Sequence, residues 1–165
     1  MSAIVEILEP IDSFENNPST ITINLQSFFL KTKGLRCSKD FKIHVLEKLT
    51  GEECVIAKET WTRSTLLEVA SDRKIADTLG RARLFSCLPS FLHYLAQHVQ
   101  PLLEGKDSVA DDEKCNVYYL EIEGTEVVVD LGFFHDDLAS ERYLQLDASV
   151  DFKEEWFAQQ RIFSL

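Results

Sequence analysis

The sequence predicts an α+β fold: a single domain over residues 1–165 whose antiparallel sheet is built from hairpins and packed against two or three helices. Three observations carry that prediction. A chain of 165 residues is the size of one ordinary domain and buries one core. Strand-like alternation flanks a central block of helical spacing. The alternating runs come in pairs joined by turn residues, which argues for antiparallel hairpins rather than a parallel βαβ sheet.

From the N-terminus, Ile4, Val5, Ile7 and Leu8 read as a short strand stopped by Pro10, followed by turn chemistry in "ENNP". In "STITINLQSFFL", Ile21, Ile23 and Leu25 alternate with polar residues as a half-buried strand does, until the phase slips at Ser27 and Phe28, Phe29 and Leu30 run together. A bulge or strand end is expected there. After a polar connection around Gly34, "FKIHVLEKLTGEECVIAKETW" alternates, pauses at "LTGEE" and alternates again, which reads as a hairpin. His44 falls on its polar side as a surface residue.

Thr65 followed by Glu68 is a capping-box pattern, so a helix is expected from there to Gly80, a suitable C-terminal cap. The next helix is the clearest. Leu84, Leu88, Phe91, Leu92, Leu95, Val99, Leu102 and Leu103 keep helical spacing, with Pro89 in the first turn and Pro101 kinking or ending the last. His93 lies on its polar side, and His93 and His98 lack the i, i+4 relation of a helical zinc pair. Residues 105–114, "GKDSVADDEK", read as a mobile acidic loop. Beyond it, Tyr118, Leu120 and Ile122 share one strand face, Glu123 and Gly124 form the turn, and Val127, Val129 and Leu131 share a face of the return strand. The final "FKEEWFAQQRIF" spaces Phe152, Trp156, Ile162 and Phe163 as a closing amphipathic helix with Asp151 as its cap.

Charge is the most informative part of the composition. The net charge is −11, yet Lys31 to Arg83 carries 12 basic against 8 acidic residues, and after Gln100 there are 16 acidic against 5 basic. Such a chain is repelled by nucleic-acid backbones, whose binding depends on lysine and arginine neutralising phosphates. A polybasic membrane anchor is equally disfavoured. No apolar run approaches the length of about 20 residues that a spanning helix needs. The N-terminus has glutamates where a secretion signal carries basic residues, so a cytoplasmic protein is expected. Cys37, Cys54, Cys87 and Cys115 form no CxxC pair and are expected to be free thiols.

The stretch "GFFHDDLASER", Gly132 to Arg142, is the best candidate for chemistry. Asp130, His135 and Asp136 could supply oxygen and nitrogen ligands to a divalent metal, which would make the protein a small metal-dependent hydrolase. Against that, adjacent Asp136 and Asp137 cannot both face one ion, and Leu138 to Arg142 reads as the start of a short helix capped by one of them. No GxSxG elbow and no glycine-rich phosphate loop is present. Cys87, at the start of the strong helix, lacks an adjacent base and reads as a small buried residue. Arg73, Lys74, Arg81 and Arg83 form a basic patch interleaved with Asp72 and Asp77, a pattern of internal ion pairs that leaves a weak contact surface. An aromatic pocket from Phe28, Phe29, Phe133 and Phe134 would make a small-ligand binder, although aromatics are mostly core.

What remains is a non-enzymatic module, with no cofactor, that binds a basic protein partner, as an inhibitor, immunity-type factor, adaptor or secretion chaperone does. The acidic surface expected to steer that partner comprises Asp111, Asp112 and Glu113 in the loop and Asp136, Asp137 and Glu141 after the second hairpin. The Arg73, Arg81 and Arg83 face is the second contact candidate, and self-association is left open.

Overall fold

The computed structural model of the protein describes residues 7–16, 24–49, 59–105, 115–138 and 141–165. Among them are four α-helices: α1 (Leu25–Lys31), α2 (Lys39–His44), α3 (Asp72–Leu79) and α4 (Leu88–Leu103). The strands are β1 (Leu8–Asn16), β2 (Leu35–Cys37), β3 (Glu59–Leu66), β4 (Ala70–Ser71), β5 (Asn116–Ile122), β6 (Thr125–Asp136), β7 (Glu141–Ser149), β8 (Glu155–Trp156) and β9 (Arg161–Ser164). Seven of them form one mixed sheet in the order β1-β3-β9-β5-β6-β7-β2, while β4 and β8 pair separately. Only the β9–β5 and β7–β2 pairs are parallel. The fold is α+β with a mostly antiparallel sheet. Consecutive hairpins build only the β5-β6-β7 part of it.

The sheet has a core on each face. On the first, Phe91, Leu92, Leu95, Val99 and Leu102 of α4 pack with Leu25 and Phe29 of α1, Phe41 of α2, Trp61 and the inward residues of β5 to β7. On the second, Ile75, Ala76 and Leu79 of α3 pack with Val117, Tyr119, Val128, Phe152 and Ile162. Adjacent Tyr118 and Tyr119 therefore serve opposite cores, as successive side chains on a strand must. Every residue of β5 except Glu121 is buried, the pattern of a central strand covered on both sides. The turn after it forms as its residues suggest: Glu123 and Gly124 both take positive φ, 50° and 80°, as a two-residue type I′ hairpin requires.

Several local readings are overturned, each by a competing interaction. The run at Leu25–Lys31 is helix rather than strand, because the Asn24 side chain accepts from the Ser27 amide and Leu25 and Phe29 bury together one turn apart. Similarly, the first limb of the expected hairpin at Phe41 is α2. Ser38 caps it by accepting from the Phe41 amide, so His44 lies in its last turn. Thr65 does not start a helix. It pairs with Glu9 and Arg161 in the sheet, and α3 starts after its Ser71 cap and runs from Asp72 to Leu79, ending at the expected Gly80 stop, with Glu68 bonded to Lys74 instead.

The expected closing helix is replaced by β8 and β9, since Phe152 and Gln159 have φ of 54° and 78° and Ile162 and Phe163 are drawn into opposite cores. Leu138 lies in a turn and Glu141 and Arg142 belong to β7, so these described residues open no helix. Pro10 does not end β1, which continues through a register shift on the sheet edge, where a missing amide is tolerated. His93 is buried rather than polar-facing. Residues 106–114, with Asp111, Asp112 and Glu113, lie outside the described residues, as do the expected strand residues Ile21 and Ile23 and the thiol Cys54.

Candidate functional site

Alternation along β6 and β7 sorts their side chains between the two faces. Val129 and Leu131, with Leu144, Leu146 and Ala148, enter the first core. Their neighbours form four cross-strand pairs on the second face: Val128 with Ser149, Asp130 with Asp147, Gly132 with Gln145, and Phe134 with Tyr143. The second core reaches only to Val128. Beyond it, Asp130, Tyr143, Gln145 and Asp147 are half-buried and Phe134 is 42% exposed, so this part of the sheet face is open to contact.

At its outer end the Phe134 and Tyr143 rings stack with centroids 6.2 Å apart. Arg36 on β2 lays its guanidinium 3.7 Å from the Tyr143 ring centroid, and its Nη2 is 3.4 Å from Asp136 Oδ2. Ring face and carboxylate thus grip one cation from two sides. The middle is closed by Cys115, whose Sγ would stand 2.9 Å from any Cβ at Gly132. Burial, with Asp130 adding to it, pushes that thiol up to about 12, so it is no nucleophile at neutral pH.

The inner end is acidic. Asp147 Oδ1 accepts from Ser38 Oγ at 2.6 Å and from the Ala148 amide at 2.8 Å. Opposite it, Asp130 has no hydrogen-bond donor among the described residues. Burial pushes its carboxyl up to about 7, helped by the negative charges of Asp147, Asp72 and Glu154.

Behind this face lies a fully buried carboxylate. Asp72, in the first turn of α3, accepts at Oδ1 from the Tyr119 hydroxyl (2.7 Å) and from Trp156 Nε1 (2.8 Å), while its own amide donates to the Glu154 carbonyl at 2.9 Å. Its Oδ2 has no partner among the described residues. Burial raises the Asp72 carboxyl above the ordinary range despite these donors. The Tyr119 hydroxyl is likewise held protonated by burial and by Asp72.

The residues singled out from sequence are distributed unevenly around this geometry. Asp136 and Glu141 are cross-strand partners at the hairpin tip, Asp136 Oδ1 accepts from the Leu138 amide, and Asp137 is 98% exposed with Oδ1 3.2 Å from His135 Nδ1. Asp130, His135 and Asp136 do not converge: six residues of strand separate the two aspartates by about 20 Å, and alternation puts His135 on the other face. Among the described residues no group of three His, Cys, Asp or Glu could hold a metal ion.

The arginines are engaged internally. Arg73 bonds Glu126 at 3.2 Å, Arg81 grips Glu121 at 2.6 and 2.8 Å, and Arg83 donates to Ser164 Oγ at 3.1 Å. Of the four phenylalanines, Phe28 and Phe29 of α1 and Phe133 pack in or against the first core, whereas Phe134 is exposed on the other face of the sheet. Cys87 Sγ lies 3.1 Å from Ser90 Oγ.

The chain matches no protein-family model, no curated protein and no solved structure. The site therefore rests on its own geometry. Sequence reasoning missed Arg36, Tyr143, Asp147 and the Asp72–Tyr119–Trp156 group. One signal was available: "VVVDLGFF" and "YLQLDAS" each set an aspartate into an apolar alternation, and two such strands in adjacent register place their aspartates side by side.

Proposed function

We propose that the protein is a non-enzymatic binding module that engages a basic protein partner through the open face of β6, β7 and β2, with Asp136, Asp137 and Glu141 at the hairpin tip steering the approach. One observation carries this reading: the protein's own Arg36 already lies against that face, stacked on Tyr143 and paired with Asp136. Chemistry that suits one guanidinium suits another arriving from outside. Further along, Asp130 and Asp147 pair with no lysine or arginine among the described residues, so the face has carboxylates to spare. Rim charges raise association rates, and inner aromatic and carboxylate contacts slow dissociation.

An inhibitor, immunity-type factor, adaptor or secretion chaperone would each use such a surface. A cytoplasmic setting is part of the proposal. Cys37, Cys87 and Cys115 are free, as a reducing compartment keeps them. Among the described residues no helix is long and apolar enough to cross a membrane.

The test is site-directed photo-crosslinking in the native host. A photoreactive phenylalanine replaces Tyr143 in one variant and exposed Thr78 on α3 in another. Capture of one basic protein from position 143 but not from 78 supports the reading. Equal capture from both positions, or capture of acidic proteins, overturns it.

A further inference from the structure

The register of β6 and β7 sets Asp130 directly opposite Asp147 on the same face, where like charges repel at a Cβ separation of about 5 Å. Proteins usually relieve such a pair with a nearby cation. Here the groups facing Asp130 are Asp147 from β7, Cys115 and Tyr119 from the β5 side, Asp72 from α3, and Glu154 ahead of β8. None is basic.

The two carboxyls are also unequal. Asp147 accepts from a hydroxyl and an amide, whereas Asp130 accepts from neither. Asp72 deepens the asymmetry: it is fully buried, its Oδ2 lacks a partner among the described residues, and its charge reaches Asp130.

We propose that Asp130 and Asp147 form one proton-exchanging cation subsite: the free protein keeps a proton on Asp130, and a lysine or arginine side chain of the partner displaces it. The inference rests on the open face being the partner surface. The step balances simply. The O–H bond of the Asp130 carboxylic acid breaks, its proton leaves to solvent, and the resulting carboxylate pairs with the incoming ammonium or guanidinium, which keeps its own protons. Lysine or arginine fits better than a bare metal ion. The aromatic rings outward of the pair accept the aliphatic stem and a cationic head, and the stacking of Arg36 on Tyr143 is the working example.

Binding is then linked to pH in a defined sense. A face whose acidic pair is half-protonated near neutrality binds a cation more weakly in acid and more tightly in base. With Asp130 titrating at about 7 and only its ionised form competent, affinity rises about tenfold between pH 6 and pH 8.

Two measurements test this on the full chain. In the free protein, carbon-13 NMR of the side-chain carboxyls follows Asp130, assigned with Asp130→Asn; titration near neutrality is expected, and titration in the ordinary carboxylate range overturns the proposal. Calorimetry then uses a short capped peptide of alternating glycine and lysine as the probe, at pH 6 and pH 8 and in buffers of different ionisation enthalpy. Release of close to one proton per peptide at pH 6, with about tenfold tighter binding at pH 8, is expected. Asp130→Asn should bind weakly and without that pH dependence.

Asp147→Asn provides a second variant. It should lower the Asp130 titration only partly, because burial outweighs the repulsion. Peptide binding that is equal at both pH values and releases no proton overturns the proton exchange while leaving the binding face standing. No binding at either pH, with Asp130 still titrating near neutrality, removes the cation subsite itself.

Discussion

The hydroxyl of Tyr119 donates to Oδ1 of Asp72 across 2.7 Å, tying the middle of the central strand β5 to the first turn of α3. Because both groups are buried, Tyr119→Phe removes a donor that water cannot replace. A loss of about 1–3 kcal/mol is expected in urea unfolding. Asp72→Ala should cost more, since it strands the Trp156 indole as well. The double variant should fall short of the sum, because both changes break one bond. Strict additivity would show that the hydroxyl contributes nothing through Asp72.

Stability should depend on the Asp130 proton. Its folded value of about 7 lies above the unfolded value of about 3.9, so the folded state holds the extra proton between those limits. That contribution is complete below about pH 4 and is lost as pH rises through about 7. Asp130→Asn should therefore raise the melting temperature most at pH 8, by less at pH 5, and leave it nearly unchanged at about pH 3, below the unfolded value. The upper bound is about 4 kcal/mol, and partial exposure of the carboxyl reduces the realised gain. A wild-type protein whose melting temperature is flat across this range would contradict the buried, repelled state of Asp130.

Gly132→Ala should destabilise the protein by about 1–3 kcal/mol, because the new methyl would meet Cys115 Sγ at 2.9 Å. The remedy is specific. Adding Cys115→Ala removes the sulfur and should recover most of the loss, a non-additivity read directly from chemical unfolding midpoints.

Charge steering is checked with Asp136→Asn and Asp137→Asn together. Once a partner is in hand, association should slow and dissociation hardly change. The wild-type rate should fall with salt as the screening length shrinks from about 10 Å at 0.1 M to about 3 Å at 1 M. Stability should move little, since Asp137 is 98% exposed and the Arg36–Asp136 pair lies at the surface. An association rate indifferent to both changes would assign these charges to solubility.

Thiol reactivity should rank the cysteines by environment. Burial pushes Cys37 up to about 11 and Cys115 up to about 12, so both should alkylate slowly in the native protein at pH 8. Fast labelling of Cys115, read by peptide mass spectrometry, would mean that the sulfur over Gly132 is not held as described.

Much of the fold was legible wherever local signals agreed with the sheet. The β5–β6 hairpin and its Glu123–Gly124 turn, the long helix α4 and the Gly80 stop all followed from period and cap chemistry. Misreadings arose where short amphipathic runs satisfied two periods. Phe152, Trp156, Ile162 and Phe163 fit a helix on paper, but β9 fills a gap between β3 and β5 that no local pattern announces. Leu25 and Phe29, or Phe41 and Val45, support a helix only once Asn24 and Ser38 act as caps. At the site, Asp136, Asp137 and Glu141 were visible because charge is visible. Asp130 and Asp147 gain their meaning from a register that exists only after β7 has folded back.

The place of β9 sets the order of assembly. β3 and β5 lie on either side of it and do not touch in the sheet, so the halves of the sheet join only when Arg161–Ser164 slots between them. In chain order β9 follows β1, β3, α4 and the whole β5-β6-β7 meander. Until it is in place both β3 and β5 present unpaired backbone on one side, the condition that invites strand exchange between nascent chains and attracts chaperones. The sheet is thus expected to close in one step, with β9 acting as the clasp.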